Sequence, residues 1–209
     1  MWYNKLPIII ILLSFLVGIY FYPQMPDKMA SHWNIKSEVD GYLSKFWGLF
    51  LMPLISIGMY GLFLFLPRID PLKENVKKFE KYYHGFILVM LTFLLYIYVL
   101  TIAANLGFEF NMGILLMPGL SLLFFYIGLM MEKSKRIWFI GIRTPWTLQN
   151  DKVWEKTHKL GSKLFKILSI IILFGVFLPE FMFWITILSV FLIAVIPVFY
   201  SYFVYRKEK

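Results

Sequence analysis

The chain has 209 residues, 60% of them hydrophobic, and a mean hydropathy of +0.71, well above the roughly half-apolar make-up of soluble domains. That excess excludes an ordinary water-soluble domain and makes the bilayer the solvent of the fold. The formal charge is +9, from 21 Lys and Arg against 12 Asp and Glu, and cysteine is absent; basic clusters beside apolar runs are expected to meet anionic lipid rather than nucleic acid, while disulfides, thiolate metal sites and a Cys nucleophile are ruled out.

A membrane-crossing helix needs about 20 mostly apolar residues. Six stretches meet or approach that length, over roughly 6–22, 46–66, 83–105, 113–131, 164–178 and 181–205, and all twelve carboxylates fall outside them. The first run follows Lys5 in the manner of a secretory signal, but Tyr20-Phe21-Tyr22-Pro23 has no small-residue cleavage site, so it is expected to remain as the first helix with an aromatic interfacial end. The fifth run is short, and Leu178-Pro179-Glu180 leaves room only for a tight hairpin into the sixth. The expected fold is all-α and polytopic: one membrane domain of six transmembrane helices, divided as 1–66, 67–131 and 132–209.

Sorting Lys and Arg by side of this layout gives eighteen on the side of the N-terminus and three, Lys28, Lys36 and Lys45, on the other. The positive-inside rule then predicts a cytoplasmic-membrane protein with both termini in the cytoplasm.

Three loops carry the polar information. The first, an extracellular cap over 23–45, contains His32-Trp33-Asn34 and Asp40-Gly41-Tyr42, with Pro23 and Pro26 preventing simple continuation of the first helix and Asp40-Gly41 giving a turn signal. His32, Trp33, Asn34, Asp40 and Tyr42 are the candidate ligand- or partner-binding residues of this outer face, since aromatic residues dominate binding hot spots. His32 beside Asp27, Glu38 or Asp40 matches no established metal-binding spacing, so no metal is assigned. The second loop, a cytoplasmic lead-in over 67–82, places Asp70 and Pro71 as cap and first residue of a helix that would enter the membrane as one rod, with Asn75, Phe79 and Tyr83 on one face.

The third loop, 132–163, reads Ile140-Gly141-Ile142-Arg143-Thr144-Pro145-Trp146-Thr147 and then Asn150-Asp151, Trp154, Thr157-His158 and Gly161. Asn150 can cap a helix whose first turn gains from Asp151 at the positive dipole end. Val153, Trp154, Thr157 and Leu160 would share one side and the lysines the other, as in a helix lying at the interface before turning into the fifth span. Arg143 is expected to pair with Asp151 or a phosphate. Arg143, Thr144, Trp146, Asn150, Asp151, Trp154 and His158 are the candidate inner partner-binding residues.

The three loops, in this order, resemble those of the SdpI family: a His-Trp-Asn and Asp-Gly-Tyr outer element, an Asp-Pro-x-x-x-Asn segment, and the Ile140 to Gly161 signature. Two positions depart from the pattern, Ser37 where relatives carry glycine and Ile137 where an asparagine is usual. The resemblance implies a membrane immunity or receptor protein that protects its cell from a secreted membrane-active peptide toxin outside and signals to a cytoplasmic regulator inside, with membrane lipids as surroundings and no cofactor.

Other classes fit the residues less well. His32 and Asp40 would be separated from Arg143, Asp151 and His158 by a hydrocarbon core of about 30 Å, and no nucleophile motif, phosphate loop or His-Glu-x-x-His pair is present, so no catalytic residues and no enzyme are expected. A small-solute or ion transporter is the main alternative; it would show ionisable residues at mid-membrane, where the spans here offer only Pro, Gly, Ser and Thr.

Overall fold

The structure, a computed structural model, describes residues 5–208. In chain order the elements are α1 (Leu6–Phe21), β1 (Lys28–Trp33), β2 (Val39–Ser44), α2 (Lys45–Ile69), α3 (Lys73–Lys77), α4 (Glu80–Asn105), α5 (Met112–Lys133), α6 (Pro145–Gln149), α7 (Asp151–Phe174) and α8 (Met182–Glu208). All the helices except α3 and α6 are long and apolar enough to cross a membrane. The protein is therefore an all-α polytopic membrane protein of six spans, ornamented by one β-hairpin.

The bundle has two halves. α1, α2 and α4 pack together, α7 packs on α5 and α8, and the α4–α5 seam joins the halves. Large apolar side chains cover the outside, among them Leu16, Phe174, Trp184 and Phe199, which suits a surface solvated by acyl chains. Small residues permit close approach inside. A Cβ on Gly128 of α5 would lie 3.0 Å from the Ser162 carbonyl of α7, and the Ser121 hydroxyl donates to Ser169 O across the same interface at 2.8 Å. Where Pro67 removes the amide that would have bonded Phe63 O, the Tyr83 hydroxyl from α4 donates to that carbonyl at 2.7 Å.

Several elements differ from the expectation. Asp70 does not start one long rod: α3 ends after one turn, and α4 begins anew at Glu80. The fifth span is not short and carries no separate interfacial helix, because α7 runs unbroken from Asp151 to Phe174. Its amphipathic pattern is real, but the face formed by Val153, Trp154, Thr157, His158 and Gly161 is buried in protein rather than laid on lipid. In the cap, Asp40 and Gly41 lie within β2 instead of at the turn. The turn spans 34–38, where Asn34 Oδ1 accepts from the Lys36 and Glu38 amides at 2.8 and 3.1 Å.

Candidate functional site

The polar residues collect at the two ends of the bundle. At the hairpin end, β1 and β2 pair antiparallel, with Lys28 opposite Ser44 and Trp33 opposite Val39. Three anchors fix the hairpin on the helices. Met29 is wholly buried in a notch that Gly48 of α2 leaves open, since a Cβ there would come within 2.7 Å of its sulfur. Asn105, the last residue of α4, acts as a surrogate strand: its Oδ1 accepts from Ala30 N at 2.7 Å and its Nδ2 donates to Ala30 O at 3.0 Å. Ser37 donates from Oγ to Asn111 Oδ1 at 2.8 Å and accepts from Gly113 N at 3.1 Å, which ties the turn to the start of α5. Ser37 holds φ 63°, the left-handed conformation in which glycine is at ease; the serine bears that strain and uses its hydroxyl as a latch.

Under the turn lies an apolar cleft of about 340 Å³, lined by Trp33, Asn34 and Ser37 from the hairpin, Phe93 from α4, Met117 from α5 and Met182 from α8, among others. The five outer candidates thus separate. Trp33 and Asn34 line the cleft. His32 Nδ1 and Asp40 Oδ1 pair at 2.5 Å on the exposed side of the hairpin, and Tyr42 projects outward. Gly41 lies opposite His32 because a Cβ there would meet the His32 Cβ at 2.8 Å. No cluster of three or more His, Asp or Glu able to hold a metal occurs among the described residues.

At the opposite end, residues 134–150 form a knot around α7. Thr144 and Thr147 cap α6 reciprocally: Thr144 Oγ1 accepts from Thr147 N at 3.1 Å and Thr144 N donates to Thr147 Oγ1 at 2.8 Å. Thr144 Oγ1 also meets Ser201 Oγ of α8 at 3.0 Å. Asn150 Oδ1 accepts from Lys152 N and Val153 N and caps α7. The Trp154 ring stacks on His158, with centroids 3.9 Å apart. His158 accepts the Ile142 amide on Nε2 at 3.0 Å and donates from Nδ1 to Trp154 O at 2.9 Å, so this histidine is a neutral, single-tautomer brace. Gly141, at φ 105°, must lack a side chain because a Cβ would lie 2.5 Å from His158 Nε2.

The Arg143–Asp151 pair does not form. Asp151 pairs with Arg136 Nε at 2.8 Å, because Arg136 lies beside the start of α7 and is held there by donating from Nη1 to Leu148 O. Arg143 instead donates to Trp138 O at 3.1 Å and is exposed. Trp146 packs on Tyr202 of α8. Of the seven inner candidates, Thr144, Asn150, Asp151, Trp154 and His158 serve the knot, which leaves Arg143 and part of Trp146 facing outward.

Sequence reasoning missed Asp70 as an organiser. It is buried, and its Oδ2 accepts from Trp138 N and Phe139 N at 2.8 and 3.2 Å while Oδ1 accepts from Leu72 N at 2.7 Å. Asn75 adds a bond from Nδ2 to Arg136 O at 2.8 Å. A clue was available in the shared polarity of the two loops on one side of the layout, for a buried carboxylate at a loop has to find donors in another loop. Ile137 fills a core position against Trp154, which is why an apolar residue serves there.

A six-span bundle with a hairpin cap at one end and a knotted signature loop at the other defines a class of polytopic membrane protein with two elaborated polar faces. Residues 133–201 match the SdpI/YfhL protein family, and residues 9–57 match a domain of unknown function, DUF1648. The chain is 28% identical over 208 residues, covering 98% of itself and 96% of the relative, to the immunity protein SdpI of Bacillus subtilis (strain 168). No solved structure matches it.

Proposed function

We propose that this protein is an immunity-type protein of the cytoplasmic membrane that protects its cell from a secreted, membrane-active peptide. The end-to-end similarity to a protein named for immunity carries this reading. The charge distribution supports an orientation with both termini and the signature loop in the cytoplasm and the hairpin outside, because Lys28, Lys36 and Lys45 are the only basic residues of the hairpin end.

In this reading the outer contact is the cleft beneath the turn. Its walls are apolar and rich in methionine, and Trp33 and Asn34 stand at its rim; flexible thioethers repack around varied apolar partners, and a rim tryptophan is a favoured anchor. An apolar side chain of the peptide enters the cleft, while the His32–Asp40 pair keeps the hairpin in register. The knot at the other end presents Arg143 and Trp146 to a cytoplasmic partner.

The test is survival of a toxin-sensitive strain expressing the protein, challenged with the secreted peptide encoded nearest to it. Trp33→Ala should lower the tolerated peptide concentration about tenfold with normal membrane insertion. Full protection by an inserted variant carrying both Trp33→Ala and Asp40→Ala would remove the outer face from the mechanism. Failure of the unaltered protein to protect, together with solute flux in proteoliposomes, would replace immunity by transport.

A further inference from the structure

A larger cleft, of about 560 Å³, lies at the signature end. Phe63 of α2, Phe86 of α4, Ile127 of α5 and Ile193 of α8 contribute to its apolar lining, and the segment 139–143 completes it. The helices that flank it pack elsewhere, α2 on α1 and α4, and α8 on α7. Ala194 and Val198 of α8 line the cleft and are themselves exposed on the bundle surface, so it opens sideways toward the hydrocarbon.

Arg143 is the only charged residue of this lining. Among the described residues no carboxylate stands within ion-pair distance of it, and its one bond goes to a neutral carbonyl, Trp138 O. Trp138 and Phe139, both exposed, flank it in the manner of an interfacial aromatic anchor. An apolar slot open to the bilayer, ending at an unneutralised guanidinium, is complementary to an amphiphile with an anionic head. The planar fork of guanidinium matches phosphate oxygens, and basic pockets between transmembrane helices hold anionic lipid headgroups.

We propose that this cleft binds an anionic phospholipid, with an acyl chain between α2 and α8 and the phosphate on Arg143. The site is separate from the outer cleft; it shares Arg143 with the inner face described above but needs no cytoplasmic partner, so lipid retention is tested apart from protection. Its occupant would complete the charge balance of the signature loop and seal the gap between the bundle halves.

The experiment is native mass spectrometry of the full chain in neutral detergent, titrated with phosphatidylglycerol or phosphatidylcholine. The unaltered protein should retain phosphatidylglycerol preferentially. Arg143→Gln should reduce that preference about tenfold, Arg143→Lys should restore part of it, and Lys163→Gln, an exposed basic position of α7 outside the cleft lining, should leave it unchanged. Ala194→Trp, placed on an exposed position that fills the opening, should weaken retention of both lipids without disturbing the knot. Undiminished phosphatidylglycerol preference in Arg143→Gln, or equal losses for Lys163→Gln, would reduce the site to diffuse surface attraction and overturn the proposal. Displacement of the lipid by glycerol phosphate alone would equally overturn it, since the head would then bind without the chain.

Discussion

Asp70→Ala should free the stretch 137–143 from the rest of the protein without unfolding the bundle. The Asp70 carboxylate is 3% exposed and accepts three backbone amides, from Leu72, Trp138 and Phe139. A hydrogen bond to a charged group contributes about 1.5–3 kcal/mol. The bonds to Trp138 and Phe139 share one oxygen, and the second is long at 3.2 Å, so together they count as little more than one strong bond. The bond to Leu72 is local, and losing the carboxylate also removes the cost of burying it. The net loss of hold on the signature loop is therefore about 2–3 kcal/mol. Trp138 and Phe139 are exposed, so water can satisfy their amides once released, and the loss appears as local opening rather than global collapse. Hydrogen–deuterium exchange of the purified protein should show residues 137–143 exchanging roughly 30- to 150-fold faster, with the interior of α4 unchanged. Asp70→Asn should recover little, because an amide keeps one acceptor and turns its NH2 toward either Leu72 or the Trp138 pair. Unaltered protection of 137–143 in Asp70→Ala would refute the assignment of this carboxylate as the clasp.

Two further substitutions probe the special backbone positions. Ser37→Gly relieves the left-handed strain but loses the latch to Asn111 and Gly113, whereas Ser37→Ala loses the latch and keeps the strain; thermal unfolding in micelles should rank Ser37→Ala below Ser37→Gly by about 1 kcal/mol, and the reverse order would place the effect elsewhere. Gly141→Ala puts a methyl 2.5 Å from His158 Nε2 at a φ of 105°; combining backbone strain of about 1–2 kcal/mol with loss of the His158 bond to Ile142, it should cost about 3 kcal/mol or more, read as a lowered Tm and a polydisperse gel-filtration profile.

The membrane architecture was legible because hydrocarbon imposes a length and a composition on each span, and the twelve carboxylates kept clear of all six runs. The cap was legible as folded but not as a hairpin. Lys28–Trp33 shows no clean alternation, because Ala30 faces Asn105 and the pairing shifts between Ala30 and Trp33, so the period-2 signal that marks a strand is broken by its anchors. The extent of α7 was hidden for a different reason. Its first three turns are polar on one face to stay in water and small or aromatic on the other to receive the knot, a pattern that an interfacial helix also shows. Charge pairing was the least legible feature. Arg143 and Arg136 both precede Asp151, and only the path of 134–150 around α7 brings Arg136 to it. The serine in place of glycine at Ser37 could be seen in the sequence, but its use as a latch depends on Asn111, 74 positions away.

Communication between the two polar ends, which an immunity protein that reports to the cytoplasm would require, is constrained by how α5 is held. Its start is tied to the hairpin through Ser37, and its end leads through Ser134, whose carbonyl receives Trp154 Nε1 at 3.4 Å, into the knot. Along its length it is keyed to α7 by Gly128 against the Ser162 backbone and by the Ser121–Ser169 bond. The close approach at Gly128, with the Ser162 backbone and the Lys166 and Phe165 side chains against it, leaves little room for sliding, so α5 and α7 are expected to move together. The α4–α5 seam is made differently: Gly85 and Gly119 face the rings of Tyr126 and Tyr96, and the Tyr96 hydroxyl donates to Leu115 O across it at 2.5 Å. A ligand at the hairpin cleft touches α4, α5 and α8 together. One route to the signature loop is that seam and another is α8, whose Ser201 meets Thr144; along either, an effector shifts an equilibrium by no more than its difference in affinity for the two states.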